Sequence, residues 1–328
     1  MAELSPLTIN DPIYGSETIT EPVLLDIITS HTLQRLKGIS QLGLPHELHF
    51  LKTFSRYDHS LGTLIVTRRL DGDLRQQIKA VTHDVSHTPF SHLIDWVRGS
   101  QDRDDYQDSI HAQFLRESDI AGILTRYSFD VEEFTTDHGF PIVEQDAPRI
   151  CADRVDYALR EMLISGFAPN IVPICVEGLT TFEGRIVFKD SRAARLFGWG
   201  YRELHIGDWG ARESLGRFML FARLLKDALN DQVIEWSDFK EDDNFVMNKL
   251  RARGDKRLIT RLKALGRPLD ENPELELIKG ESVKKKYRYV DPEFLAGGRL
   301  VKLTEVNGQY AKTLEEEREI AQQAYVIT

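Results

Sequence analysis

Apolar positions recur through the first half of the chain at helical spacing. Val23-Leu24-Leu25-Asp26-Ile27-Ile28 places apolar residues at i, i+1, i+4 and i+5, one face of a helix. Leu33, Leu36 and Ile39 share a side of the next segment. Ser60 to Thr67 and Leu74 to His83 predict two more helices packed on each other, with Asp71-Gly72-Asp73 as the turn between them. Ala152 to Ile164 predicts another, stopped by Ser165-Gly166 and Pro169. The first 165 residues thus read as helical. The period then changes. Ile174 to Thr180 and Gly184 to Lys189 alternate around Glu183-Gly184, which predicts a β-hairpin. Helical spacing returns at Ala193, and Ser214 to Leu229 predicts a long amphipathic helix. From about Glu235 the chain is more charged. Lys286 to Val290 predicts a strand, Gly297-Gly298 a turn into a second short strand, and Leu314 to Arg318 an exposed C-terminal helix. The expected architecture is mostly α: a helical core with a β-hairpin over 1–235, and a smaller α+β lobe over 236–328.

Composition narrows the class. Of 328 residues, 41% are apolar, enough for a substantial core. Against 42 basic residues stand 52 acidic ones, a net charge of −10, which argues against stable nucleic-acid binding, because phosphate neutralisation needs surplus Lys and Arg. A local basic pocket for a phosphorylated metabolite stays compatible with that balance. No stretch reaches the roughly 18 apolar residues that span a bilayer, and Met1 to Pro6 has no basic and apolar signal pattern. Cys151 and Cys175 are too few for a disulfide framework or a thiolate metal site and read as buried small side chains. A cytoplasmic, reducing setting is the expectation.

Five of the ten histidines fall between His59 and His111. The densest run is Thr82-His83-Asp84-Val85-Ser86-His87-Thr88-Pro89-Phe90-Ser91-His92-Leu93-Ile94-Asp95. If it is helical, His83 and His87 share a face one turn apart. An imidazole beside a carboxylate offers mixed N/O ligation for one divalent metal ion, and Mn, Fe, Co, Ni, Zn and Mg all remain open. Upstream, Arg56 precedes His59 by three residues at a helix start. Downstream, Asp153, Asp156, Tyr157, Arg160 and Glu161 form a polar stripe on a helix that otherwise looks buried, where charge needs a partner.

Arg-x-x-His-Ser-Leu-Gly at 56–62, His-Asp-x-x-His-x-Pro-Phe-Ser-His at 83–92 and Asp-Arg-x-Asp-Tyr at 153–157 together resemble the HD-domain phosphohydrolases. The chain most resembles the deoxynucleoside triphosphate triphosphohydrolases, the branch that includes the SAM-and-HD-domain enzymes. Asp11-Pro12-Ile13-Tyr14-Gly15, Gln34-Arg35-Leu36, Gln41-Leu42-Gly43 and Tyr287-Arg288-Tyr289-Val290-Asp291-Pro292 add to the likeness, which is dense over about 10–165 and sparse afterwards. The resemblance implies His59, His83, Asp84 and Asp153 as metal ligands. It implies His92 as the acid protonating a departing 5′-oxygen, supported by His87, with Asp95 orienting an imidazole. It implies Arg56 and Arg154 on phosphates, Gln41 and Leu42 against the sugar, and Tyr157 and Glu161 near the sugar and its 3′-hydroxyl.

The implied reaction hydrolyses a deoxynucleoside triphosphate to deoxynucleoside and triphosphate. A phosphomonoesterase or phosphodiesterase acting on another nucleotide through the same residues is the alternative, and a nucleotide-binding regulator without turnover a third reading. A homo-oligomer is left open. Departures from the family lie at Asp104 to His111, where a further His-Glu pair is commonly found, and at His205 to Arg212. There Trp209 is the candidate to stack on a base and Arg212 to meet a phosphate. His111 reads as a partly exposed helix residue. Lys284-Lys285-Lys286 reads as a solvated turn before a strand, and Glu241-Asp242-Asp243-Asn244 as a solvated segment without an EF-hand pattern. Neither a nucleophile elbow nor a Walker loop is present.

Overall fold

A computed structural model of the chain describes residues 5–48, 50, 52–284 and 286–328. Leu7–Asp11 (β1) and Gly15–Ile19 (β2) form an antiparallel hairpin with Asp11 opposite Gly15. This corrects the all-helical reading of the first 165 residues. Leu7 and Ile9 are half-buried and Thr8 and Asn10 exposed, a two-residue period too brief to stand out beside the helices. Pro22–Thr29 (α1) begins on proline, whose missing N–H would have no partner in a first turn. Ser30 caps His31–Arg35 (α2), its hydroxyl accepting from the Leu33 N–H at 3.1 Å.

Arg56–Arg69 (α3) opens with a Ser55–Asp58 capping box and is buried on nearly every side. It is the central helix. Leu74–Thr82 (α4) packs along it, Leu93–Arg98 (α5), Tyr106–Glu117 (α6) and Asp119–Arg126 (α7) follow, and Ala152–Ile164 (α8) returns to pack on it. A β-carbon at Gly62 of α3 would lie 1.9 Å from the Asp156 carboxylate of α8. Glycine there lets the two helices approach with an ion pair between them.

The run 83–92 is not helical. α4 stops at Thr82, His83 takes the C-cap position, and the chain then turns, with Phe90 and Ser91 at φ 63° and 52°. His83 and His87 therefore do not share a helical face. A turn closed by the His87 N–H donating to the Asp84 carbonyl (3.1 Å) brings His87 back over Asp84 instead.

Val172–Gly178 (α9) occupies most of the residues expected in the first strand of the hairpin; Pro173 in its first turn starts a helix and Val172 and Cys175 bury its inner face. The hairpin is shorter, Leu179–Phe182 (β3) and Arg185–Phe188 (β4), and it turns at Glu183-Gly184, both at positive φ (50° and 72°). Ser191–Leu204 (α10) passes through a π turn at His205–Trp209 into Arg212–Asn230 (α11). Asp243–Arg253 (α12) and Lys256–Ala264 (α13) follow, and α13 packs on α11. Ser282–Val283 (β5) pairs with Tyr325–Val326, while Glu293–Ala296 (β6) and Arg299–Lys302 (β7) close a hairpin at Gly297-Gly298.

One four-stranded sheet, in the order β3-β4-β6-β7, joins strands from both sides of position 235. One apolar cluster likewise joins Leu44, Phe90, α5 and α11 to Phe239, Leu250, Leu262 and Val283. No strand forms at 286–290, since this segment has no ladder partner among the described residues. Cys151 and Cys175 are buried free thiols. Among the described residues no helix is long and apolar enough to cross a membrane.

Candidate metal centre and its cavity

Three elements converge behind α3. His59 comes from its second turn, His83 and Asp84 from the end of α4, and Asp153 from the first turn of α8. His59 Nε2 lies 3.2 Å from His83 Nε2, 3.0 Å from Asp153 Oδ1 and 3.6 Å from Asp84 Oδ2. His83 Nε2 lies 3.5 Å from Asp153 Oδ1 and 3.6 Å from Asp84 Oδ1.

The proton inventory of this cluster decides what fits it. His59 Nδ1 donates to Asp156 Oδ2 at 2.8 Å, and Asp156 is itself ion-paired with Arg160. His83 Nδ1 donates to the Ala80 carbonyl, also at 2.8 Å. Each neutral ring then presents an Nε2 lone pair to the same small volume as two carboxylates. His59 Nε2, His83 Nε2 and an Asp84 oxygen lie within 4.8 Å of one another, a set that a cation satisfies, and Asp153 Oδ1 flanks it at 3.0 and 3.5 Å from the two rings. The pKa directions report the same demand for positive charge, which a proton on His83 can meet in place of a cation. Burial opposes a charge on His83, yet the facing Asp84 and Asp153 carboxylates push it up to about 9. Burial likewise opposes ionisation of Asp84, but Arg56, His83 and His87 hold its carboxyl well below the usual range. The donor set therefore fits a divalent metal ion and does not choose among metals.

The centre opens into a cavity of about 730 Å3. His87 Nε2 is 3.2 Å from Asp84 Oδ1, and burial, then Arg56, drives its pKa well below the ordinary imidazole value. His92 packs edge-on to His87, ring centroids 5.0 Å apart, and is the more open of the two. Asp95 does not hydrogen-bond His92: its Oδ2 stands 3.7 Å from Nδ1, while its Oδ1 accepts from the Tyr106 N–H and the Ser100 hydroxyl. Arg56 donates to Asp84 at 2.7 Å and to Ser91 at 2.8 Å. Arg154 lines the cavity, although its Nη1 is spent on the carbonyls of Gln145 and Arg149.

Gln41, Leu42, Tyr157, Glu161 and Trp209 also line the cavity. Trp209 donates from Nε1 to Glu161 Oε2 at 2.9 Å and meets the Tyr157 ring edge-on. Arg212 is directed elsewhere, to Asp270 and the Thr328 carbonyl, so its expected place at a phosphate is not formed. His111 is buried rather than partly exposed, 5% accessible, between Ser86 and the Phe134 carbonyl. Of the lysine run, Lys285 lies outside the described residues; Lys284 and Lys286 are exposed, as expected, and Lys286 also lines the cavity. Asp243 is buried, not solvated, and accepts from the backbone N–H groups of Ser40 and Phe90.

A scan against protein-family models finds no match. The chain is 32% identical over 313 residues to the uncharacterised protein YdhJ of Bacillus subtilis, covering 93% of this chain and 94% of that one. It is 29% identical over 281 residues to the metal-dependent phosphohydrolase cns2 of Cordyceps militaris, covering 82% of this chain and 81% of the relative. Over 102 residues it is 34% identical to the bovine deoxynucleoside triphosphate triphosphohydrolase SAMHD1, a match to 26% of this chain and 17% of that enzyme. The chain belongs to the HD-domain phosphohydrolases.

A phosphohydrolase from Bacteroides thetaiotaomicron has the same fold, with a TM-score of 0.68 at 17% identity over 92% of this chain and 95% of its own. The relative named a metal-dependent phosphohydrolase and the His59–His83–Asp84 cluster together support a divalent metal ion in this member of the enzyme family. Two residues of this HD-domain site had no role in the sequence reading. Asp156 was visible only as one member of the α8 stripe, yet it fixes the His59 tautomer. Arg288 was visible only inside a motif, yet it lines the cavity.

Proposed function

We propose that this HD-domain phosphohydrolase cleaves deoxynucleoside triphosphates to deoxynucleoside and triphosphate. One observation carries the proposal: His83, Asp84 and Asp153 of the acceptor cluster, the imidazoles of His87 and His92, and Gln41, Leu42 and Tyr157 all line one cavity. His59, His83, Asp84 and Asp153 would hold the cation, which when bound lowers the pKa of water and screens phosphate charge.

The chain's own residues do the rest. Net hydrolysis adds water across the bond between the α-phosphorus and the 5′-oxygen. A new P–O bond forms, the P–O5′ bond breaks, and the departing alkoxide takes a proton. His92, the more open imidazole, is placed to give that proton. Buried His87, held neutral by burial and by Arg56, is placed to accept a hydrogen bond rather than carry charge. Arg56 holds the Asp84 carboxylate in position and keeps one terminal nitrogen for a phosphate oxygen. Leu42 sets an apolar side chain against the sugar, where a 2′-hydroxyl would lose its water without gaining a partner.

The partial likeness to SAMHD1 supports the substrate class. The deciding experiment incubates metal-loaded protein with each dNTP and separates the products by ion-exchange chromatography. Inorganic triphosphate and deoxynucleoside are expected, with turnover lost in Asp84→Ala. Release of pyrophosphate or orthophosphate instead overturns the assigned bond. A phosphomonoester reading is favoured by one observation: Arg56 and Arg154 are each engaged by protein acceptors, which leaves little charge for a long phosphate chain. Orthophosphate release from nucleoside monophosphates, with dNTPs inert, selects it.

A further inference from the structure

A triphosphate needs cations beyond those two arginines, and the C-terminal segment brings them. Residues 286–290 belong to no helix or strand, and their side chains divide between two sides. Tyr287 and Tyr289 stack on one side, ring centroids 5.2 Å apart and 12° from parallel, and Arg318 lies over Tyr289. Lys286 and Arg288 fall on the other side and line the cavity of the metal centre. Arg288 is three-quarters buried, and its Nη2 donates to Asp104 Oδ2 at 3.0 Å. Asp104 is nearly inaccessible and sits at φ 51°, a conformation that a non-glycine residue holds only when its surroundings fix it. Asp104 thus anchors one edge of the guanidinium. It is the single hydrogen-bond partner of Arg288 among the described residues, so most of the five N–H donors remain for a ligand. Lys286 is exposed at the rim and forms no ion pair among the described residues.

We propose that Arg288 and Lys286 bind the distal phosphates of the substrate and so set the phosphate-chain length that the enzyme accepts. The proposal rests on the nucleoside triphosphate reading and names specificity residues for it. The two cations stand two residues apart in sequence and line the same cavity, so both can engage phosphates of one chain. A fork held at one edge by a carboxylate meets phosphate oxygens bidentately with its other edge. On this proposal a monophosphate held at the metal centre leaves Arg288 and Lys286 without a phosphate of their own to bind.

The test uses the full, metal-loaded chain and isothermal titration calorimetry with inorganic tripolyphosphate and with orthophosphate. Arg288→Ala is expected to weaken tripolyphosphate about ten-fold or more and orthophosphate less than two-fold, the loss typical of a charge-assisted contact. Lys286→Ala, at an exposed position that tolerates truncation, is expected to weaken tripolyphosphate about three-fold and to reduce its salt dependence. If Arg288→Ala fails to fold, Arg288→Lys takes its place. It keeps the charge and loses the fork, and an intermediate loss confined to tripolyphosphate is expected. Equal losses for both anions, or no loss in any variant, overturn the proposal. A parent protein that releases triphosphate from dNTPs while its variants bind tripolyphosphate unchanged overturns this inference alone. A parent that releases none, yet binds tripolyphosphate through Arg288, overturns the substrate reading instead.

Discussion

Asp156 shows how much of the centre depends on a residue outside the ligand set. Its carboxylate accepts from His59 Nδ1 at 2.8 Å and from Arg160 at 2.8 and 3.1 Å, and Arg160 also reaches Asp11 at 2.7 Å. All four side chains are buried. The negative charge of Asp156, maintained by Arg160 although burial opposes it, holds the proton on Nδ1 and leaves Nε2 bare. An amide at this position can turn its NH2 toward the ring and stabilise the opposite tautomer. Asp156→Asn is therefore expected to cut metal affinity roughly 10–100-fold, the usual effect of losing such a partner. It should leave a folded chain, because Asp11 still pairs with Arg160. Metal content after dialysis against a graded series of chelator concentrations measures this; an unchanged occupancy curve would show that the tautomer is fixed by something else.

Between elements, the main tie is Asp243 at the start of α12. Its two carboxylate oxygens accept from the Ser40 N–H at 3.0 Å and the Phe90 N–H at 2.7 Å. It thereby fastens the turn carrying Gln41 and Leu42 to the loop between His87 and His92. Gly43 permits the approach: it lies at φ 76°, and a β-carbon on it would sit 2.9 Å from the Phe218 ring and 3.1 Å from the Phe90 carbonyl. Asp243→Ala strands two buried N–H donors, at about 1–3 kcal/mol each, and frees the Gln41–Leu42 turn from the loop between His87 and His92. Lower stability in urea unfolding is expected and, on the proposed dNTP reading, KM raised more than kcat falls. A variant as stable as the parent would mean water replaces the carboxylate. How far such features can be read from sequence follows from their range. The helices α1, α4 and α8 and the Glu183-Gly184 and Gly297-Gly298 turns are written in local spacing and turn chemistry, so they were legible. The convergence of His59, His83 and Asp84, with Asp153 beside them, was legible because three motifs each carry a dense local pattern. Asp243, His111 and Arg288 were not: each is polar, each is buried by segments distant in sequence, and a polar residue reads as solvated until its tertiary neighbours are known. The expected strand at 286–290 failed for the same reason, since alternation predicts extension but not the presence of a ladder partner.

At the scale of the whole molecule, a net charge of −10 says little about acid stability, because two buried groups act in opposite directions over the same pH range. Asp243 is pushed up to about 7 by burial, against the pull of its two backbone donors. Its folded form holds a proton that the unfolded chain releases near 4, so Asp243 favours folding more as pH falls from 7 toward 4. His111 does the reverse. Its Nε2–H donates to the Phe134 carbonyl and its Nδ1 accepts from Ser86, a neutral ring satisfied on both sides. Burial first, and then Lys79, brings its pKa down to about 4. An unfolded histidine titrates near 6.5, so between 6.5 and 4 the unfolded chain carries the extra proton. The stability His111 gives is complete above pH 6.5 and is lost as pH falls through 4, a swing of about 3 kcal/mol. His111→Gln keeps a polar side chain there and removes the titration. Urea unfolding from pH 7 to pH 4 is expected to show the variant less stable than the parent at pH 7, with the gap shrinking by about 3 kcal/mol at pH 4. The metal ligands titrate in both proteins, so the difference between them isolates His111. A gap that stays constant with pH would mean that the buried ring changes protonation at the same pH folded and unfolded.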